Sequence, residues 1–126
     1  MRADYSYDYA IIQVVPSVER GERINVGVIV LCRACSYLGL RYVVDEQRLR
    51  ALAPTLDVAE VAAYLHAMER MSMGDPQAGP IAEFSQTERF HWLVAPSSTI
   101  VQTSPVHSGL CDDPAAALDD LMARMV

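Results

Sequence analysis

The strongest structural signal lies in Tyr7–Leu31, YDYAIIQVVPSVERGERINVGVIVL, where two apolar segments flank a loop of alternating acids and arginines. Apolar residues occupy consecutive positions at Ile11–Ile12 and again at Val14–Val15, so both faces of the first segment are suited to burial. This pattern predicts an interior β-strand over Tyr7–Val15. The charged loop Glu19–Arg23 must then lie at the end of the sheet, where proteins often hold binding groups.

Four further strands are predicted, two in the first half of the chain and two in the second half. A second strand is predicted over Ile24–Cys32 and a third over Tyr37–Val44, close enough in sequence to form an antiparallel meander. Two short strands, Arg89–Ala95 and Thr99–Thr103, are predicted to form a hairpin around the turn Pro96-Ser97-Ser98. The order of these segments favours an antiparallel sheet.

Helices are predicted where capping residues precede apolar residues at helical spacing. A short helix is expected over Glu46–Ala53, and a longer one over Val58–Met73, after the capping residue Asp57. The last helix begins at Pro114, with Asp113 as its cap. Strands outnumber helices and do not alternate with them. The predicted fold class is therefore α+β, a mostly antiparallel sheet of about five strands with two or three helices packed on it.

Length and composition narrow the possible classes of protein. A chain of 126 residues with 52% hydrophobic content is expected to form one domain, residues 1–126. No apolar run approaches the roughly 20 residues of a transmembrane helix, and the N-terminus lacks the apolar region of a signal peptide, so we predict a cytoplasmic protein without membrane contact. The net charge of −6 argues against a nucleic-acid partner.

The ten basic residues are all arginines. A Walker-type phosphate loop, a Schiff-base enzyme and a protein kinase each use a lysine ammonium group at a fixed point. The absence of lysine therefore excludes these three mechanisms in their usual form. It does not favour any other mechanism, because codon bias in a GC-rich genome produces the same composition.

The loop Glu19–Asn25 is the first candidate site. Arg20 and Arg23 carry planar guanidinium groups suited to clamping a phosphate or a carboxylate, and Gly21 permits close backbone approach. The loop also supplies carboxylates and an amide. The alternative interpretation is that its acids and bases neutralise one another on a solvated hairpin.

Gly27 stands inside the second predicted strand, among residues with branched apolar side chains. A glycine at such a position most often marks a β-bulge or close packing against a ring. The missing side chain also permits a ligand to approach the backbone. The sequence leaves both interpretations open.

Two histidines are the candidate catalytic groups. His91 flanks Trp92 on a predicted strand, and His107 lies in the predicted loop Pro105–Asp112. A folded sheet that brought both to one end would provide a general base beside Arg20. An isolated histidine is more often a hydrogen-bonded structural residue.

The cysteines raise one metal hypothesis. Cys32 and Cys35 have the C-x2-C spacing, and His107 and Cys111 have the H-x3-C spacing, which together supply the four ligands of a tetrahedral zinc site. Each half is short and common, and no second C-x2-C pair reinforces it. We therefore predict no cofactor and no bound metal, with zinc at these four residues as the alternative.

Three separated segments resemble the bacterial family of domain of unknown function 3037. They are YDYAIIQVVPSVERGERINVGVIVL, ERFHWLVAP and SPVHSGLCDDP, in that order, and the resemblance runs from Tyr5 to Val126. It implies a small cytoplasmic domain of no established activity, and a companion role beside HipA-type kinase-like proteins. Cys35 and Ser97 depart from the family pattern. The polar motif positions of the family fall on Glu19, Arg20, Asn25, Arg89, His91, His107 and Cys111.

These observations lead to two functional hypotheses. The first is a non-catalytic binding or interaction module in which the loops Glu19–Asn25 and Pro105–Asp112 form one functional end, with Arg20 and His107 on the same end of the sheet. Its predicted ligand- or partner-binding residues are Glu19, Arg20, Arg23, Asn25, Arg89 and His107. The alternative is a small enzyme acting on an anionic substrate, with His91 or His107 as general base and Arg20 orienting the substrate.

Overall fold

The computed structural model describes residues 5–96 and 99–126. Its first three strands are β1, Tyr5–Val14, β2, Ile24–Cys32, and β3, Tyr37–Tyr42. They form an antiparallel meander in the spatial order β3-β2-β1. The predicted bounds of the second strand are confirmed, and the other two strands differ from prediction by one or two residues at their ends.

Two short strands, β4 and β5, follow one another along the free edge of β1. They are Val101–Thr103 and His107–Cys111, and both pair antiparallel with β1. Between them the backbone N–H of Ser104 donates to the Ile11 carbonyl at 2.8 Å, so the chain keeps contact with β1 where the ladder is interrupted. The predicted loop Pro105–Asp112 is therefore wrong over residues 107–111, because strand pairing with a distant segment orders them.

The described residues contain four α-helices, one more than the upper end of the prediction. They are α1, Glu46–Leu52, α2, Val58–Ser72, α3, Gln86–Leu93, and α4, Pro114–Met125. The side chains of Asp45, Asp57 and Asp113 each accept a backbone N–H in the first turn of the helix that follows, as capping predicts. None of the helices in the described ranges is long and apolar enough to span a bilayer.

The predicted hairpin of Arg89–Ala95 with Thr99–Thr103 is wrong in its first strand, because that segment belongs to α3. The Ser85 hydroxyl accepts the Glu88 N–H at 3.2 Å, and the Glu88 carboxylate accepts the Ser85 N–H at 3.3 Å. This capping box starts the helix. Two residues of the predicted turn, Ser97 and Ser98, lie outside the described residues.

The sheet is packed between α4 on one face and the other three helices on the opposite face. Alternate residues of β1 divide between two apolar clusters: Ile11 lies in the cluster with α4, and Ile12 in the cluster with α1, α2 and α3. Phe90 of α3 and Leu65 of α2, each at most 1% exposed, are among the largest side chains of the second cluster. The fold is α+β with a five-stranded antiparallel sheet, as predicted.

A β-bulge interrupts β2 beside Gly27. Ile12 opposes Gly27, but the next residue of β1, Gln13, opposes Asn25, so Val26 is the extra residue. A Cβ atom on Gly27 would lie only 2.5 Å from the Arg41 carbonyl oxygen. The predicted bulge is present, and the close packing at Gly27 is against the backbone of β3 and the Ile12 side chain rather than against a ring.

Candidate functional site

An exposed groove with two aromatic side chains is bounded by α2, α3 and β4, and we call it the Tyr64–Trp92 groove. It consists of three adjoining cavities of about 360, 290 and 210 Å³. Tyr64 lines all three, and Trp92, Met68 and Leu93 line two of them. The cavities therefore form one continuous surface with Tyr64 at its centre.

One face of α2 supplies the floor of the groove. Glu60, Tyr64, Ala67 and Met71 recur at intervals of three or four residues, so their side chains lie in a row along the helix. With a rise of 1.5 Å per residue, this row is about 17 Å long. It runs beside the core-facing row of α2, in which Leu65 is fully buried.

The two aromatic walls are unusually open for such large side chains. Tyr64 is 45% exposed and Trp92 is 57% exposed. Phe90 and Leu93 turn toward the core from α3, which leaves Trp92 on the outer side of that helix. Exposed aromatic side chains of this kind are enriched at the centres of binding interfaces.

Sequence reasoning missed this groove because it placed His91 and Trp92 on a strand. The Ser85-x-x-Glu88 pattern was the available signal for a helix at this position. With a helix assigned, the spacing of Phe90 and Leu93 would have indicated an inward face and left Trp92 outside. Sequence spacing does not show that α2 and β4 lie beside α3 in the fold.

The charge of the groove is concentrated at one end. Asp57 and Glu60, at the N-terminal end of α2, line the second cavity. The Asp57 carboxylate also accepts the Glu60 N–H at 3.1 Å as the helix cap. In the described part of the chain, the residues that line the three cavities include no arginine and no histidine. The groove therefore presents an apolar surface with an acidic end.

The arginines of the predicted loop site are engaged within the chain. Arg20 forms an exposed ion pair with Glu22, with 2.8 Å between Nη2 and Oε1. Arg23 donates through Nη1 to the Gln13 side-chain oxygen at 3.2 Å and through Nε to the Gly21 carbonyl at 3.3 Å. All three contacts lie within the hairpin of β1 and β2, and the one between Arg20 and Glu22 joins a base to an acid.

Asn25 ties this loop to the end of α4. Its Nδ2 donates to the Met125 carbonyl at 3.0 Å, and its Oδ1 accepts from Gln13 Nε2 at 3.1 Å. The Asn25 amide is therefore occupied in holding the C-terminal helix to the sheet. Glu19 is exposed in the same loop.

Arg89 bridges two helices. Its Nη1 donates to the Phe84 carbonyl at 2.5 Å, and its Nη2 donates to the Ser72 carbonyl at 3.3 Å. Ser72 is the last residue of α2. The carbonyls of the last turn of a helix receive no hydrogen bond from within the helix, so the Arg89 guanidinium supplies a donor to one of them. Arg89 Nε is buried without a hydrogen-bond partner. The side chain of Arg89 is held by the fold at the α2–α3 connection.

The candidate catalytic residues do not converge. His107 opposes Tyr9, and the two rings stack with centroids 5.5 Å apart. Arg20 lies beyond Val14, and the five residue steps from Tyr9 to Val14 correspond to about 16 Å of strand. His91 is exposed on α3. The prediction that Arg20 and His107 share one end of the sheet is wrong, because β5 pairs with the first half of β1.

The three cysteines meet beneath α4, but His107 does not join them. The Cys32 thiol donates to the Ser6 carbonyl at 3.6 Å. Hydrogen bonding with the Cys32 side chain raises the pKa of Cys35 to about 11, and burial raises the pKa of Cys111. His107 and Cys111 are four residue steps apart along β5, which corresponds to about 13 Å.

The alternative zinc set therefore does not assemble, since its histidine is held against Tyr9 at the other end of β5. Across residues 5–96 and 99–126, no group of three or more histidine, cysteine, aspartate or glutamate side chains is arranged to hold a metal ion. The free thiols of Cys32, Cys35 and Cys111 pack as part of the apolar cluster on α4.

The geometry defines a small α+β protein with an aromatic groove as its main open surface. The family profile described as "Protein of unknown function (DUF3037)" matches residues 9–126, nearly the whole chain. The chain belongs to this family, and the predicted resemblance is confirmed. No curated protein and no solved structure matches the chain.

Proposed function

We propose that this chain is a non-catalytic protein-binding module, and that the Tyr64–Trp92 groove is its contact surface. The observation that carries the proposal is a pair of half-exposed aromatic side chains in three adjoining cavities, of which Tyr64 lines all three and Trp92 lines two. Contiguous exposed apolar surface on a soluble protein commonly marks a binding site.

Covering the two aromatic rings of the groove would favour binding by removing apolar surface from water. Aromatic side chains bury about 150–250 Å² when fully enclosed. Covering the exposed half of Tyr64 and of Trp92 would thus remove about 100 Å² of each ring from water. At about 25 cal/mol per Å², this stabilises a complex by about 2–3 kcal/mol per ring. Together the two rings provide the central contribution that interface hot spots make.

The chemistry of the groove supports binding rather than catalysis. Its polar lining includes Gln102 and Thr103, and the Thr103 hydroxyl already donates to the Val94 carbonyl at 3.2 Å. The enzyme hypothesis places its residues at three separate positions, on α3, on β5 and in the β1–β2 loop. General acid–base catalysis requires such groups within hydrogen-bond reach of one another or of a shared substrate.

The loop Glu19–Asn25 is the rival contact surface, and site-specific photo-crosslinking in cells distinguishes it from the groove. A photoreactive amino acid replaces Trp92 in the groove, Val18 beside the loop, or Leu110 on β5, in the full chain. The native side chains are 57%, 61% and 68% exposed, so the three positions are matched for accessibility. We expect one defined crosslinked product at Trp92, lost when Tyr64→Ala is added. A product at Val18 but not at Trp92 would move the contact surface to the loop.

A direct titration provides the second test. The companion role implied by the family makes a purified HipA-type kinase-like protein the first candidate partner. We expect Tyr64→Ala to weaken its binding about tenfold or more, as loss of a central aromatic contact does. Arg20→Lys, which preserves charge but loses the planar fork, should leave binding unchanged. The opposite pattern would refute the groove as the contact surface and favour an anion clamp at Arg20.

A further inference from the structure

We infer that the occupant of the Tyr64–Trp92 groove is an amphipathic α-helix with a lysine or arginine at the end that lies against Asp57 and Glu60. This inference rests on the proposed function and specifies the partner segment. Three observations support it: the length of the groove, the division of the groove into successive cavities, and the position of its acidic residues.

The shape of the groove matches one face of a helix. The cavities follow one another along α2: one lies beside Glu60 and Val61, the next beside Tyr64 and Met68, and the third extends to Met71. The row is about 17 Å long, the length of about 11 helical residues. A bound helix presents apolar side chains at i, i+4 and i+7, which is the recognition pattern of helix-in-groove complexes.

The charge of the groove selects a cationic segment. The carboxylates of Asp57 and Glu60 lie together at one end, and no cation lines the cavities among the described residues. The other lining residues are uncharged, with Gln102 and Thr103 among the polar members, so a ligand charge is best placed at that single end. The net charge of −6 adds a long-range field of the same sign, which attracts basic segments and repels acidic ones.

The same field disfavours a second copy of this chain as the occupant. Two copies that met at the groove would each bring a net charge of −6. The apolar residues Leu118 and Leu121 of the C-terminal helix are buried against their own sheet, at 3% and 1% exposure. A basic helix from a different protein satisfies both the shape and the charge of the groove.

Synthetic peptides test this inference with the full chain. Trp92 is the only tryptophan, so its emission reports groove occupancy when the peptides contain no tryptophan. Three peptides of about 14 residues, slightly longer than the groove, share one leucine stripe at helical spacing. The first carries lysines at one end, the second carries glutamates there, and the third is the lysine peptide with a central proline. We expect only the lysine peptide to shift the Trp92 emission to shorter wavelength at low concentration, with the other two binding about tenfold more weakly or worse.

A matched pair of variants locates the charge. Glu60→Gln should weaken the lysine peptide by about two- to five-fold, the usual range for one surface charge pair, and added salt should remove this difference. Asp120→Asn removes the same charge from the exposed face of α4, on the other side of the sheet, and should leave the affinity unchanged. Equal losses in the two variants would refute a local acidic anchor.

The outcomes separate this inference from the proposed function. Equal binding of the lysine and glutamate peptides would overturn the cationic ligand, and equal binding of the proline peptide would overturn the helix, while both results would keep the groove as a binding surface. A Trp92 shift that depends on protein concentration alone, and is lost in Tyr64→Ala, would identify a second copy as the occupant. Crosslinking at Val18 in place of Trp92, together with no response to any peptide, would overturn the proposed function itself.

Discussion

Replacing Gly27 by alanine should be among the most destabilising small changes in this protein. The added Cβ would lie 2.5 Å from the Arg41 carbonyl oxygen, 3.0 Å from Tyr42 Cβ and 3.2 Å from Ile12 Cδ1. The first two of these atoms belong to β3, which is paired with β2 at this point. Neither can rotate away as a flexible side chain can, so the two strands must move apart.

The magnitude follows from that separation. Restoring an ordinary contact of about 3.4 Å requires a shift of about 0.9 Å, enough to weaken the neighbouring Val43 N–H to Val26 carbonyl hydrogen bond of 2.8 Å. Overpacking of this kind costs about 1–3 kcal/mol, and a weakened ladder bond costs about 1 kcal/mol. Replacing a glycine in a strand by alanine stabilises the folded state by about 0.5–1 kcal/mol, because the unfolded chain has less conformational entropy to lose. We therefore expect Gly27→Ala to lower the free energy of unfolding by about 2–3 kcal/mol.

Gly39→Ala is the matched control, because Gly39 lies in the neighbouring strand β3. The atoms that a Cβ added to Gly39 would meet belong to the far end of the Tyr37 ring, which can swing outward. We expect this variant to remain within about 1 kcal/mol of the wild type. Urea denaturation followed by circular dichroism measures both, with the slope m checked for constancy. A Gly27→Ala protein as stable as Gly39→Ala would refute the argument from backbone contact.

Three further predictions concern single side chains. Arg89→Met should destabilise the protein by about 1–3 kcal/mol in the same urea assay, because two backbone carbonyls lose their donor, whereas a fully exposed arginine replaced in the same way would not. Hydrogen bonds from the Gln77 backbone N–H and from Arg70 lower the pKa of Asp75. The stability that Asp75 contributes is therefore present above the ordinary carboxyl pKa and is lost as the pH falls through the lowered value. Asp75→Asn should reduce the loss of stability between neutral and acidic pH, and an unchanged pH profile would contradict this. The pKa of Cys35 is raised from 9.0 to about 11, which lowers its thiolate fraction at pH 8, while the more basic thiolate is also more nucleophilic. Cys35 should therefore react with iodoacetamide about tenfold more slowly in the folded protein than in urea, measured by peptide mass spectrometry, and equal rates would contradict the raised pKa.

The accuracy of the sequence analysis depended on how far apart the interacting residues lie. The β2 strand and the α4 helix were predicted correctly, because an apolar run and an Asp113–Pro114 start act within a few residues. The segment Arg89–Leu93 was assigned to a strand although its helix start was present at Ser85 and Glu88. Its aromatic and β-branched neighbours favour strand by local preference, and packing against α2 overrides that preference.

The candidate site was less predictable than the fold. The charged loop was recognisable from sequence, but its use of Asn25 to hold Met125 depends on a contact 100 residues away. The failure to unite Arg20 with His107 has the same origin, since the position of His107 is set by its register against Tyr9. Register between distant strands depends on the packing of both faces of the sheet, which local patterns do not encode.

The sequence alone determined the α+β class, the antiparallel meander, the caps of α1, α2 and α4, and the family, because each of these depends on periodicity or on motifs within a short stretch of chain. Only the tertiary structure decided that Tyr64 and Trp92 lie on one surface. The two residues come from separate helices, and their shared groove exists because Leu65 and Phe90 are buried in the same core and turn the outer faces of α2 and α3 toward one another. Such a surface is a by-product of core packing, and core packing is a property of the whole folded chain.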